Sequence, residues 1–170
     1  MNRKDNYYDY CYKYSQYTTK NYDDAFAIVR HLKPHIKHLR QENSLAPSKQ
    51  IYHEYLRLRK EGQWNQDAFD NWYTKAFLEQ LSHDNIAQTI LHCLLQLDKQ
   101  KKNIVLGCFC SDVNMCHRTI IASILAENGA DVRADGVLKR YGVNVNIKML
   151  KKWNIKMYIF PRFIPQPELP

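Results

Sequence analysis

The feature that most constrains the fold is a short, almost wholly apolar run, Asn103–Cys110, which is followed at once by a loop and an amphipathic helix. Such a run is typical of a central parallel strand, because both faces of that strand are covered. After the loop, isoleucine and leucine recur at helical spacing over about Cys116–Asn128, and Gly129 suits the helix end. Strand, loop and helix in this order form half of a β-α-β unit. We therefore predict an α/β fold with a mostly parallel sheet.

The chain before this unit supplies further candidate elements. Tyr10–Tyr17 alternates aromatic and polar residues, the period of a half-buried strand. We expect a helix after Asn21 that stops at Pro34, and a short second strand at about His35–Arg40. The apolar stripe of that expected helix consists of Phe26, Val29 and Leu32.

The middle of the chain is predicted to be helical, as an insertion over about residues 48–101 between the second and third strands. Ser48 is a candidate N-cap for a helix that ends at Gly62, and Asn65 for a second helix with a strong apolar face. Ser82 is expected to open a third helix. Its expected buried residues are Ile86, Ile90, Leu94 and Leu97.

The length of 170 residues predicts a single α/β domain over residues 1–160, followed by a proline-rich tail over 161–170. No stretch approaches the apolar length that a membrane span needs, and Met1–Tyr10 lacks the apolar segment of a signal peptide. We therefore predict a cytoplasmic protein with no membrane partner.

The net charge of +8 is concentrated near the C-terminus, where Lys139–Pro170 holds seven basic residues and one acid. Aromatic residues such as Trp153 and Tyr158 alternate with these lysines, a mixture that suits phosphate contacts and base stacking. Nucleic-acid or protein binding by this segment is one hypothesis. An edge strand with solvated lysines is the other, and the tail could also mediate homo-oligomer contacts.

Three of the five cysteines, Cys108, Cys110 and Cys116, lie within nine positions. An odd, clustered set is not a secreted disulfide framework, so we expect reactivity, metal binding or burial in a reducing compartment. Cys116 is placed at a helix start, where the pKa of a thiol is lowered, and His117 is adjacent. It could therefore be a nucleophile or a small buried residue. Cys108 and Cys110 are expected to serve in packing.

Together with His117, the three cysteines form the pattern C-x-C-x5-C-H, which could bind zinc. This pattern lacks, however, the usual C-x2-C spacing of zinc sites. Adjacent Cys116 and His117 would also diverge by about 100° on a helix. We therefore predict no metal and no cofactor.

The position of Arg118 predicts an anion-binding site. A cation in the first turn of a helix opposes the macrodipole at a cost of roughly 0.3 to 1 kcal/mol, which a bound anion reverses. Ligands of open α/β sheets bind outside the carboxyl ends of the strands, where this helix begins. An exposed Arg118, or one paired with Asp112, is the alternative.

The run Asn103–Gly129, with its apolar strand, C-x-C, Cys-His-Arg and isoleucine-rich helix, resembles the bacterial and phage family known as domain of unknown function 488 (DUF488). Tyr17–Arg40 looks like the opening strand, helix and second strand of that family, with His38 in place of an acid. Leu45–Ser48 is similar to its Pro-x-Ser region, and Phe69–Tyr73 fits its F-x3-Y helix.

The resemblance implies a three-layer, Rossmann-like α/β fold with a site at the strand ends, and it supplies no reaction. The residues that it implies for this site are Arg40, Ser48, Cys116, His117 and Arg118.

The leading hypothesis is therefore a site for a small phosphorylated ligand, a nucleotide or nucleotide derivative, with phosphates held by Arg40 and Arg118. The candidate ligand-binding residues are Arg118, Arg40, Ser48, Cys110, Ser111 and Asp112. The alternative is an enzyme in which Cys116 is the nucleophile, His117 transfers a proton and Arg118 holds a developing negative charge.

Overall fold

The computed structural model describes residues 23–32, 40–110, 112 and 114–132. Within these ranges three short strands form an open parallel sheet with the order β2-β1-β3. The register pairs Phe26 with Arg40 and Ala27 with Gly107. The strands are β1 (Asp24–Ala27), β2 (Arg40–Gln41) and β3 (Ile104–Gly107). The prediction of an α/β fold with a parallel sheet is confirmed at this level.

The described residues of the segment after Asn21 form β1 and no helix, so the helix predicted there is wrong. In β1, Ala25 and Ala27 are buried while Phe26 is half-buried, which is the alternation of a strand. The chain bonds to both neighbouring strands: the Ile28 amide donates to Gly107 O at 2.8 Å, and the Glu42 amide donates to Ala27 O at 2.9 Å. Hydrogen bonding to a strand on each side outweighs the helical spacing of the apolar residues, because that spacing gives only a weak local preference for a helix.

The strand predicted over Asn103–Cys110 is confirmed as β3, which is shorter. Among the three described strands β1 lies in the middle, and β3 pairs with it along one edge. The first three residues of β3 are half-buried and Gly107 is buried.

Helices lie between β2 and β3 in the chain, where the helical insertion is predicted. Ser48 Oγ accepts the Ile51 amide at 3.3 Å and Asn65 Oδ1 accepts the Ala68 amide at 2.9 Å, so both predicted N-caps are confirmed. The elements of this region are α1 (Lys49–Lys60), α2 (Gln66–Ala68), a π-helical turn (Phe69–Tyr73), α3 (Thr74–His83) and α4 (Asn85–Lys99).

The start predicted for the third helix is wrong. Ser82 lies inside α3, and the N-cap of α4 is Asp84, whose carboxylate accepts the amides of Ile86 and Ala87. Of the residues predicted to be buried in this helix, Leu94 is buried, whereas Ile86 is 67% exposed. Ile90 and Leu97 are half-buried. The buried residues of α4 are Ala87, Leu91, Leu94 and Leu95.

The helix after β3 is α5 (His117–Glu127), close to the predicted range. The predicted inward residues Ile120, Ile121, Ile124 and Leu125 are all buried. Gly129 has φ +90°, and the Ala130 amide donates to Leu125 O at 3.0 Å, which closes the helix with a left-handed glycine as expected. No helix of the described part is long and apolar enough to cross a bilayer.

Several predictions fall on other parts of the chain. The strand Tyr10–Tyr17, most of the strand at His35–Arg40, the candidate residue Ser111 and the basic segment Lys139–Pro170 lie outside the described residues. Nucleic-acid binding by the basic segment and the extent of the single domain stay predictions.

Candidate functional site

The candidate site lies where β3 ends and α5 begins, at the carboxyl end of the parallel strands. Four side chains from this segment converge, and their sulfur and imidazole nitrogen atoms all lie within 4.8 Å of one another. We call these residues, Cys108, Cys110, Cys116 and His117, the Cys3His cluster. Cys110 is partly exposed, while the other three members are buried.

Two sulfurs of the cluster are in direct contact. Cys108 Sγ and Cys116 Sγ are 3.1 Å apart. Each also accepts a backbone amide at 3.4 Å, Cys108 Sγ from Cys110 and Cys116 Sγ from Arg118. Cys116 is thus the N-cap of α5, and its own backbone is extended, with φ −130° and ψ 135°.

The imidazole of His117 joins the cluster to β1. His117 Nε2 lies 2.8 Å from Ile28 O, just beyond the end of that strand. A carbonyl oxygen only accepts, so Nε2 carries the proton and donates it. In the neutral ring Nδ1 then has a free lone pair, and this atom lies 3.6 Å from Cys110 Sγ.

The prediction that adjacent Cys116 and His117 diverge too far to bind one metal ion is therefore wrong. That reason assumes two helical residues, whereas Cys116 precedes the helix in extended conformation and only His117 is helical. Their donor atoms lie within 4.8 Å of each other.

Burial and mutual hydrogen bonds shift the pKa values of the three thiols in opposite directions. The pKa of Cys108 is lowered well below its usual value, because Cys110 and Cys116 hydrogen-bond to it and Arg118 adds a positive field, while burial opposes the shift. The pKa of Cys110 is raised by the hydrogen bonds with Cys108 and Cys116 and by burial. Burial first, and then Cys108, raise the pKa of Cys116. The lowered pKa predicted for Cys116 is therefore wrong, and among the three thiols it is the pKa of Cys108 that is lowered.

Arg118 is buried, with 7% of its surface exposed, in the first turn of α5. Both terminal nitrogens of its guanidinium are buried as well. The alternative of an exposed arginine is thereby excluded. The carboxylate of Asp112 is exposed and accepts the Asn114 amide at 2.8 Å.

Arg40, by contrast, faces the other end of the sheet. Its guanidinium donates to Asp24 Oδ2 at 2.6 Å and lies over the Phe26 ring, 4.9 Å from the centroid. Asp24 is the first residue of β1, whereas His117 contacts Ile28 beyond the last, about 13 Å away at the rise of a strand. The structure does not bring Arg40 and Arg118 together as a clamp, so the joint role predicted for them is wrong.

Ser48 also has a structural role. Its hydroxyl caps α1, and its amide donates to Gln80 Oε1 at 2.7 Å, which ties the start of α1 to α3. No described contact links Ser48 to the Cys3His cluster.

Two aromatic residues near the cluster, Phe77 and Tyr73, are not among the predicted site residues. The Phe77 ring meets the His117 ring edge-on, with 5.9 Å between centroids. Tyr73 is buried, and its pKa is raised by burial first and then by the charge of Cys110 and Cys116. Tyr73 ends the π-helical turn, a feature found often at functional sites. The F-x3-Y pattern is the one sequence signal that includes it.

The chain belongs to the DUF488 family. It matches the family model DUF488-N3a, described as the active DUF488-N3 subclade, over residues 11–129, which include the whole Cys3His cluster and Arg118. No curated protein and no solved structure shows a significant match to it.

Proposed function

We propose that this chain binds a small phosphorylated molecule, a nucleotide or nucleotide derivative, at the carboxyl ends of β1 and β3. Ligands of open parallel sheets bind at this edge, outside the strand ends. The proposal includes a Rossmann-like, three-layer arrangement, which the parallel order β2-β1-β3 and the unit formed by β3 and α5 support.

The burial of Arg118 is the observation that carries the proposal. Arg118 lies in the first turn of α5, where the amides and the macrodipole already make the potential positive. A positive potential attracts a phosphate group, and the planar guanidinium can bind two of its oxygens at once.

A thermal-shift experiment tests this proposal. At a ligand concentration of 100 times Kd, binding to the folded state adds about 2.7 kcal/mol to the free energy of unfolding. We expect a rise in Tm with at least one member of a panel of nucleoside phosphates and pyrophosphate. Arg118→Gln should abolish that rise.

Arg40→Ala is the matched control for the loss of an arginine. Arg40 is exposed and paired with Asp24, so this variant should keep the full thermal shift. The absence of a shift in the wild type at saturating ligand, or an equal shift in Arg118→Gln, would overturn the proposal.

The second candidate is a cysteine-dependent enzyme acting on such a ligand, and the position of Cys110 favours it. Cys110 is the partly exposed residue of the cluster, and its Sγ lies 3.6 Å from Nδ1 of His117, which Ile28 O orients through Nε2. A nucleophile, a base and a group that orients the base form a common catalytic arrangement. This geometry moves the candidate nucleophile from Cys116 to Cys110.

Alkylation under reducing, metal-free conditions tests this second candidate. Iodoacetamide should modify Cys110 faster in the wild type than in His117→Gln, because the imidazole accepts the thiol proton. Equal rates in the two proteins would contradict the candidate. Cys93, which is exposed and outside the cluster, gives the reference rate in both.

A further inference from the structure

The Cys3His cluster has the donor composition of a zinc site. Tetrahedral zinc with Zn–S of about 2.3 Å and Zn–N of about 2.0 to 2.1 Å places sulfurs about 3.8 Å apart and a sulfur and a nitrogen about 3.5 Å apart. The distance from Cys110 Sγ to His117 Nδ1 is 3.6 Å. Cys108 Sγ and Cys116 Sγ, at 3.1 Å, need to separate by roughly 0.7 Å, which a small side-chain rotation provides.

The imidazole is also oriented as a ligand. Histidines that bind metals almost always donate their other ring N–H to a carbonyl or carboxylate, which fixes the tautomer and the ring plane. In this chain Ile28 O takes that N–H from Nε2, so the lone pair of Nδ1 is turned towards Cys110.

Charge balance gives an independent argument. Three thiolates, a neutral imidazole and one Zn²⁺ add up to about −1 by the formal charges of the ligands. Arg118, buried directly after His117, contributes positive charge beside the cluster. The amides of Cys110 and Arg118 donate to Cys108 Sγ and Cys116 Sγ, as outer-shell hydrogen bonds do in metal centres.

From these observations we propose that Cys108, Cys110, Cys116 and His117 bind one zinc ion. Soft sulfur ligands in a set of four favour Zn²⁺, and four protein ligands make a closed, structural site. The ion would clamp the loop between β3 and α5 and hold the helix start that carries Arg118.

This inference goes beyond the proposed function and does not rest on it. It also competes with the second candidate, since a sulfur bound to zinc in a closed site is not a free nucleophile. Metal content therefore decides between those two roles of Cys110, while the nucleotide thermal shift tests the ligand site separately.

The test is metal analysis of the full chain, expressed without a histidine tag in zinc-supplemented medium and purified with reductant. We expect about one zinc per chain. After replacement by Co²⁺, we expect the visible bands of tetrahedral cobalt and a thiolate-to-cobalt charge-transfer band. Removal of the metal with a chelator should lower Tm.

Variants locate the site. Cys110→Ser and His117→Ala should weaken zinc binding at least tenfold in a chelator competition, whereas Cys93→Ser, which removes an exposed cysteine outside the cluster, should leave it unchanged. His117→Cys keeps four ligands, so it should retain Co²⁺ with a stronger charge-transfer band even if His117→Ala does not fold.

Two results would overturn the inference. One is a folded wild-type protein that contains no zinc and binds neither Zn²⁺ nor Co²⁺ when these are added. The other is zinc affinity that stays unchanged in both Cys110→Ser and His117→Ala, because the ion would then be held elsewhere.

Discussion

Cys108 and Cys116 are eight positions apart in the chain, yet their sulfurs are 3.1 Å from each other in the buried interior. Cys108 follows β3 directly and Cys116 caps α5, so the contact closes the loop between strand and helix. The Cys3His cluster depends on that closed loop, because the loop brings Cys110 and His117 together as well.

The first prediction concerns oxidation of this pair. In metal-free protein, diamide should accept the two thiol hydrogens and form a disulfide between Cys108 and Cys116, because the sulfurs need to approach by only about 1 Å. Peptide mass spectrometry after alkylation reads out the bond. Bound zinc should slow the reaction, and a product that links Cys93 to the cluster would contradict the prediction.

Sequence patterns predict those elements of the fold that depend only on residues close together in the chain. The run of apolar residues in β3, the helical spacing in α5 and the caps Ser48 and Asn65 involve neighbouring residues alone, and each is confirmed. β1 could not be recognised in the same way. Its identity depends on pairing with β2 and β3, which lie far away in the sequence, while its own residues also fit a helical stripe.

The geometry of the candidate site also depends on contacts that sequence patterns do not reveal. The C-x-C-x5-C-H pattern predicts that its residues are neighbours, but the extended backbone at Cys116, which turns its sulfur towards Cys108, is a property of the folded loop. The ion pair between Arg40 and Asp24 could not be predicted either. Asp24 is 16 positions away in the chain and becomes adjacent to Arg40 only through the pairing of β1 with β2.

A second prediction concerns Lys101, which has φ +60° after the end of α4. Left-handed backbone costs a residue with a side chain about 1 to 2 kcal/mol, and glycine avoids that cost. Lys101→Gly should therefore raise the free energy of unfolding by about 1 kcal/mol, measured by urea denaturation.

Gly129 provides the matched control for this prediction. It has φ +90°, and an added Cβ would meet no atom within 4 Å, so Gly129→Ala isolates the backbone strain. This variant should lower the free energy of unfolding by about 1 kcal/mol. Two changes of the same sign would contradict the argument.

A third prediction concerns Thr74, which is fully buried next to Tyr73. Its hydroxyl has no hydrogen-bond partner among the described residues. Thr74→Val keeps the shape and removes the unsatisfied group, so the free energy of unfolding should rise by about 1 kcal/mol. Ser123 is the buried control: its hydroxyl donates to Thr119 O at 2.8 Å, and Ser123→Ala should be destabilising. A loss of stability in Thr74→Val would show that its hydroxyl is satisfied.

The last prediction concerns Asp23, whose carboxylate joins the starts of β1 and β3. It accepts the Asn103 amide at 2.7 Å and Lys102 Nζ at 3.3 Å, and these bonds hold its pKa below the ordinary 3.8. A depressed pKa in the folded state stabilises the protein above the unfolded pKa, and this contribution is lost as pH falls through the folded pKa. Asp23→Ala should therefore lower stability at neutral pH, with the difference from wild type shrinking between about pH 5 and pH 2. Asp23→Asn, which keeps an oxygen for the Asn103 amide, should lose less. Urea denaturation across this pH range measures the effect, and a difference independent of pH would contradict it.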